Sequence, residues 1–137
     1  MLYNYYVSYT TDLININNKR KTLFFYIKYT NKIYELLTIF KKINLISGFV
    51  LIKKKIKNKK YLYFRVSSSF YKNFQIVSKI NIVSKPSKKF FLSLKALKLL
   101  SLRSGKSIYL ISTSRGIFTH HDALRKNISG FILGFFN

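Results

Sequence analysis

The period of the apolar pattern changes at Thr30, and this change constrains the fold more than any other feature of the sequence. From Thr22 to Tyr29 the residues are β-branched and aromatic. Leu23, Phe25 and Ile27 fall on one face, with Phe24, Tyr26 and Lys28 on the other. That pattern predicts a strand. Beyond Thr30 the spacing becomes helical. Ile33, Leu36, Leu37, Phe40 and Ile43 share one stripe, with Lys32, Lys41 and Lys42 off it. Thr30 is the expected N-cap, and the helix is expected to end near Asn44.

The flanking stretches extend this strand-and-helix pair into an α+β chain. Asp12 is expected to cap a short helix over Leu13–Ile16, stopped by Lys19-Arg20-Lys21. After the main helix, Gly48 opens a hairpin. Phe49–Ile52 runs into Lys53-Lys54-Lys55-Ile56-Lys57, Asn58-Lys59 turns, and Tyr61–Val66 returns. The lysine run admits two readings, a solvated edge that resists self-association or a grip on phosphates. Ser67 to Asn73 reads as a loop, and the boundary between two halves falls near Tyr71 to Val77. Ile80–Ser84 and Lys89–Leu92 are strands around the turn Lys85-Pro86-Ser87-Lys88. Ser93 caps a short helix over Leu94–Leu100, and Gly105 precedes the strand Ser107–Ile111. Thr119-His120-His121-Asp122 resembles a capping box with aspartate in the glutamate slot, opening a helix that ends by Asn127. Ser129–Phe136 is a last apolar strand. The expected architecture is two small packed α+β modules. Residues 1–75 form an N-terminal αβαββ-like module, and residues 76–137 a C-terminal module that is mostly β with two short helices.

Charge narrows the partner. The chain has 26 Lys and Arg against Asp12, Glu35 and Asp122, a formal net charge of +23. Repulsion on this scale opposes compaction unless a polyanion is near. Yet 48% of residues are hydrophobic, so a core is available and global disorder is not expected. RNA would supply the anion, with released counterions driving binding. An anionic membrane surface is the competing partner. No apolar run reaches the ~18 residues of a membrane span, and the cations are scattered rather than massed on one amphipathic helix. Without cysteine there are no disulfides, thiolate zinc sites or cysteine nucleophiles. Lys, Asn, Ile, Phe and Tyr, all with A/T-rich codons, dominate usage, which points to an AT-rich genome such as an organelle's. The N-terminus Met1–Val7 carries no Arg-rich presequence, and a protein made inside an organelle needs none.

The stretch Ile111-Ser112-Thr113-Ser114-Arg115-Gly116-Ile117 carries the most chemistry. Three hydroxyls, a guanidinium and a glycine follow an apolar strand. Gly116 can take positive φ on a tight loop. Hydroxyls there can meet phosphates, ribose 2′-OH groups or base edges, with the planar fork of Arg115 beside them. An ordinary Ser/Thr turn would look the same. Catalysis is not indicated. His120 and His121 are adjacent and so point apart on a helix, which suits a polar cap face better than a metal site. The three acids are too far apart in sequence to make an obvious acid–base pair, and the loop serines have no evident base. No cofactor, metal or small-molecule substrate is expected.

Val83-Ser84-Lys85-Pro86, the Ser112–Gly116 loop, Thr119 with Ala123, and Gly130 in the closing strand together resemble the family of the eighth protein of the bacterial-type small ribosomal subunit, over about 55 residues. The first half matches in pattern only, through Asp12-Leu13, Thr30-Asn31-Lys32 and Ile46-Ser47-Gly48-Phe49. His120 stands where the family has an acid, Leu124 where it has an arginine, Phe131 where it has a glutamate and Ser87 where it has a glycine. The resemblance implies a non-enzymatic binder of the central domain of small-subunit rRNA, supporting its folding and assembly beside neighbouring small-subunit proteins. By matching position it implies RNA contact at Ser112, Thr113, Ser114, Arg115 and Gly116, at Ser84, Lys85 and Lys88, and in the first half at Asn15, Asn18, Thr30, Asn31 and Lys32. With the codon bias, it places the chain in a mitochondrial ribosome, with a plastid or an AT-rich bacterium as alternatives. A basic membrane- or polymer-associated protein without a specific RNA role is the other reading.

Overall fold

A computed structural model describes residues 2–71, 74–75, 79–85 and 87–137. The elements in chain order are α1 (Leu2–Lys19), β1 (Phe24–Lys28), α2 (Asn31–Lys42), β2 (Ile46–Ile56), β3 (Lys59–Ser68), β4 (Phe70–Tyr71), β5 (Phe74–Gln75), β6 (Ile80–Ile82), β7 (Phe90–Leu92), α3 (Leu94–Arg103), β8 (Ile108–Thr113), β9 (Gly116–Thr119), α4 (His120–Arg125) and β10 (Gly130–Phe136). The chain is α+β, with an αβαββ order first and a mostly-β region with two short helices after it. It divides into two compact units, residues 12–78 and residues 1–11 with 79–137. Part of the boundary expected near Tyr71 to Val77, and Pro86 of the expected turn, lie outside the described residues.

In the unit 12–78, β1, β3 and β2 form an antiparallel sheet in that order. Phe25 and Ile27 of β1 and Phe64 and Val66 of β3 turn to one face and are buried. The apolar stripe of α2, Ile33, Leu36, Leu37 and Phe40, is buried with them. The Tyr34 ring lies 5.8 Å from that of Phe49 and 6.2 Å from that of Phe64, so α2 covers this face. Thr30 caps α2 as expected, its Oγ1 accepting from Ile33 N–H at 3.2 Å, and Asn44 closes the exit at φ 60°. Leu23, expected on the core face, precedes the strand and is exposed.

Two expectations fail here for local reasons. The first helix does not begin at Asp12, which sits exposed in its interior; α1 starts ten residues earlier. Val7, Thr10, Thr11, Ile14 and Asn18 make a buried stripe at helical spacing. The intervening tyrosines and threonines are poor helix formers, and burial overrides their propensity. The buried hydroxyls return to the helix itself: Thr10 Oγ1 donates to Tyr6 O at 2.8 Å and Thr11 Oγ1 to Ser8 O at 2.9 Å. The hairpin turn also falls one residue early, on Lys57-Asn58, with both φ values positive at 43° and 61°. That is the primed turn whose twist suits a two-residue hairpin. It sets Lys55 directly opposite Lys60.

In the other unit, β10 is the hub. β8 pairs along it on one edge, with β9 beyond β8, and β6 and β7 also pair β10, at Gly134–Phe136 and Gly130–Ile132. Leu97 of α3, Ile111 of β8 and Ala123 of α4 form the core, with Leu92, Phe118 and Ile132 packed against them. Ser93 and Thr119 cap α3 and α4 as expected, accepting from Ala96 N–H and Asp122 N–H, both at 3.3 Å. α3 runs one turn past its expected end, to Arg103.

Candidate nucleic-acid interface

The hydroxyl cluster is more strand than loop. Ser112 and Thr113 end β8, and only Ser114-Arg115 form the turn before Gly116 begins β9. Strand β9 was not expected, although Ile117-Phe118-Thr119 after Gly116 carries the β-branched and aromatic signal. Thr113 pairs with Gly116 and clasps the turn. Its Oγ1 donates to Gly116 O at 2.8 Å and accepts from Arg115 N–H at 3.3 Å. Gly116 has φ 117°, outside the left-handed basin that other residues visit. Thr113 therefore shapes the turn, while Ser114 and Arg115 project into solvent and Ser112 is half-buried.

Strand β10 supplies the other wall. Phe131 lies opposite Ser112 on one side and opposite Phe91 on the other. The Phe91 and Phe131 rings meet edge to face at 5.3 Å, yet they remain 58% and 40% exposed. With Ser112, Thr113, Ser114 and Ser129 they line an open pocket of about 490 Å³. One wall offers hydroxyls, the other two apolar rings. Neither phenylalanine was picked out from the sequence, because only the pairing of strands 40 residues apart brings them together. Gly130 fixes how closely the walls approach: a Cβ there would lie 2.2 Å from Ser112 O.

Ser84, Lys85 and Lys88 leave the same sheet. Ser84 N–H donates to Leu133 O at 3.1 Å, and Ser84 is buried. Lys85 and Lys88 exchange backbone bonds at 3.0 and 3.1 Å, and both side chains are exposed. The sequence set in the first half belongs to the unit 12–78, and Ser112–Gly116 belong to the other unit. Asn15 and Asn18 are three residues apart on one face of α1, and Asn18 is buried. Thr30 spends its oxygen on capping, and Asn31 Oδ1 accepts from Tyr29 OH at 2.8 Å. Asn31 and Lys32 are exposed.

His120 corrects the expectation of a polar cap face: it is fully buried, and only His121 is exposed. Tyr109 N–H donates to His120 Nδ1 at 3.1 Å, and Nε2 lies 3.5 Å from Ser104 Oγ. The neutral ring thus extends the backbone pairing of β8. Burial, and then the neighbouring charge of His121, push its pKa below the ordinary 6.5. The unfolded chain then binds the proton more readily, so stability is complete above pH ~6.5 and falls as pH drops below it. Denaturant midpoints should decline on acidification from neutrality, and His120→Gln should flatten that part of the profile. A midpoint that rises on acidification would show that His120 is not held neutral.

Among the described residues no three His, Cys, Asp or Glu gather to hold a metal, and no helix is long and apolar enough to cross a membrane. The model of the family described as Ribosomal protein S8 matches residues 8–136. Among curated relatives, the small ribosomal subunit protein uS8 of Ehrlichia chaffeensis is 30% identical over 107 residues, covering 78% of this chain and 77% of its own. The uS8 protein of Ehrlichia ruminantium is 29% identical over the same shares. That of Mycoplasmopsis pulmonis is 28% identical over 117 residues, covering 85% and 84%. With nearly the whole length matched by the family model, and with the serine–threonine–serine turn in place, the chain belongs to the ribosomal protein S8 family.

Proposed function

We propose that the chain binds the central domain of small-subunit rRNA through the Ser112–Gly116 turn and the pocket beside it, and so supports folding and assembly of that domain next to neighbouring small-subunit proteins. Family membership supports a structural role in the ribosome. The observation that carries the RNA reading is the clasped turn, which presents Ser112 and Ser114 at the rim of a pocket flanked by two exposed rings. Irregular RNA helices are read by shape, 2′-OH and phosphate contacts, which small hydroxyls on a rigid edge can make. Lys85, Lys88 and Arg115 supply cations in the same unit. Asn15, Asn18, Thr30, Asn31 and Lys32 form the second set of contacts. The AT-rich codon bias favours a mitochondrial ribosome over a plastid or bacterial one, and the relatives described above come from bacteria.

Affinity for a central-domain rRNA fragment should fall steeply with salt, with a log–log slope of several units, as many cations displace counterions. Charge alone equally favours a second reading, a basic protein held on polymer or membrane surfaces without a specific RNA target. Sedimentation with ribosomal particles at high salt separates the two. Release of the chain under those conditions, together with a flat salt response on the rRNA fragment, would remove the rRNA reading.

A further inference from the structure

We propose that the open face of the β1–β3–β2 sheet is a second, separate RNA surface that takes an unpaired strand by stacking its bases. The inner face of this sheet is covered by α2, but the outer face carries rings and cations. Strand pairing puts Tyr26 opposite Arg65, Lys28 opposite Tyr63 and Lys54 opposite Tyr61. Phe24 and Tyr26 are 44% and 42% exposed, in a chain with a formal net charge of +23. Exposed rings of this kind mark a binding surface rather than a solvated one.

Geometry and charge together select the occupant. The Arg65 guanidinium sits 4.1 Å over the Phe24 ring, and Lys54 Nζ 4.2 Å over the Tyr26 ring. Arg65 is thereby held against the ring, and a guanidinium plane can stack on bases as a ring does. The Phe24 and Tyr26 centroids are 6.2 Å apart, and those of Tyr61 and Tyr63 6.5 Å apart. Both spacings are about twice the ~3.4 Å step of a stacked strand, so the platform suits bases splayed from one another and not a continuous helix. None of the three acids of the chain lies on this sheet. Aromatic platforms edged by cations bind single strands with little sequence preference. A protein segment would need to bring carboxylates to every one of these cations, whereas an RNA strand brings phosphate and ring at each residue.

The test uses the purified full chain with a short oligouridylate, which forms no helix, and separately with the central-domain rRNA fragment. Phe24→Thr with Tyr26→Thr keeps strand propensity and removes both rings. Oligouridylate affinity should fall about tenfold or more, the scale of one or two lost base–aromatic stacks, with the salt slope unchanged because no charge is removed. Arg65→Lys, which keeps charge and loses the plane, should weaken oligouridylate several-fold. Thr113→Val should leave oligouridylate binding unaltered while weakening the rRNA fragment, so failure of the turn as a site and failure of the sheet are read separately. Crosslinking of a thiouridine-containing oligonucleotide to the unaltered protein should label peptides around residues 24–26 and 61–65, independently of any variant. Undiminished oligouridylate affinity in the folded ring variants, or crosslinks confined to residues 112–116, would overturn the proposal. So would a ring variant that binds oligouridylate normally but releases a neighbouring protein from ribosomal particles, because the face would then be a protein dock.

Discussion

Gly130→Ala is expected to destabilise the C-terminal unit and to weaken rRNA binding in the same stroke. The added Cβ would sit 2.2 Å from Ser112 O and 2.9 Å from both Ser112 C and Ile111 Cγ2. Two of these are backbone atoms, so no rotamer change relieves the overlap. β10 has to withdraw from β8 at the register where Phe131 faces Ser112. Overpacking of this kind costs about 1–3 kcal/mol and more where backbone must move, against a total stability of about 5–15 kcal/mol for a domain. The thermal midpoint should drop by roughly 4–8 °C per kcal/mol lost in a unit of this size. Because the displaced carbonyl belongs to Ser112, the pocket wall moves with it, and affinity should fall even below the melting temperature. Gly48→Ala is the control: no atom lies within 4 Å of its added Cβ, and it should melt as the parent does or slightly higher. A Gly130→Ala protein that melts and binds like the parent would mean that β10 does not approach Ser112 as described.

The features legible in the sequence were those fixed within a few residues. The change of period at Thr30 declared β1 and α2, because alternation and the 3.6 stripe need only local counting. Caps at Thr30, Ser93 and Thr119 were readable for the same reason. What escaped was decided by distant partners. Tyr3–Thr11 look like poor helix, and only the buried stripe through Val7, Thr10, Thr11 and Ile14 makes them one. Local counting puts His120 on a polar cap face, yet its ring accepts from Tyr109 N–H on the neighbouring strand. The candidate site divides the same way. Ser112–Gly116 stood out by residue type and by a glycine that needed positive φ. The rings that wall its pocket did not, since Phe91 and Phe131 meet only through β10. The alternation of rings through Thr22–Tyr29 is legible in the sequence, whereas the cations over them, Arg65 and Lys54, come from strands that only pairing brings alongside.

The largest loss of RNA specificity is expected from the turn, and not from any lysine. A lysine meets a phosphate as a point charge and is indifferent to sequence. The turn presents Ser112 and Ser114 in one fixed relation, and Thr113 and Gly116 hold that relation. Thr113→Val removes the donation to Gly116 O and the acceptance from Arg115 N–H. Each bond is worth on the order of 1 kcal/mol, about fivefold in the population of the clasped turn. Gly116→Val acts differently. No atom lies within 4 Å of the new Cβ, so the penalty is purely in the backbone. At φ 117° a β-branched residue is strained by about 1–3 kcal/mol and escapes by opening the turn. Both variants should therefore lower the ratio of affinity for central-domain rRNA to affinity for an unrelated duplex, by about tenfold or more for Gly116→Val. Lys55→Ala, on the face of the hairpin away from Phe24 and Tyr26, should weaken both RNAs alike and leave the ratio where it was. Competition between the two RNAs, measured at one fixed salt concentration, reads the ratio directly. If Lys55→Ala shifts it while Thr113→Val and Gly116→Val do not, recognition of the rRNA lies in the unit 12–78 and the Ser112–Gly116 turn is an ordinary hairpin connection.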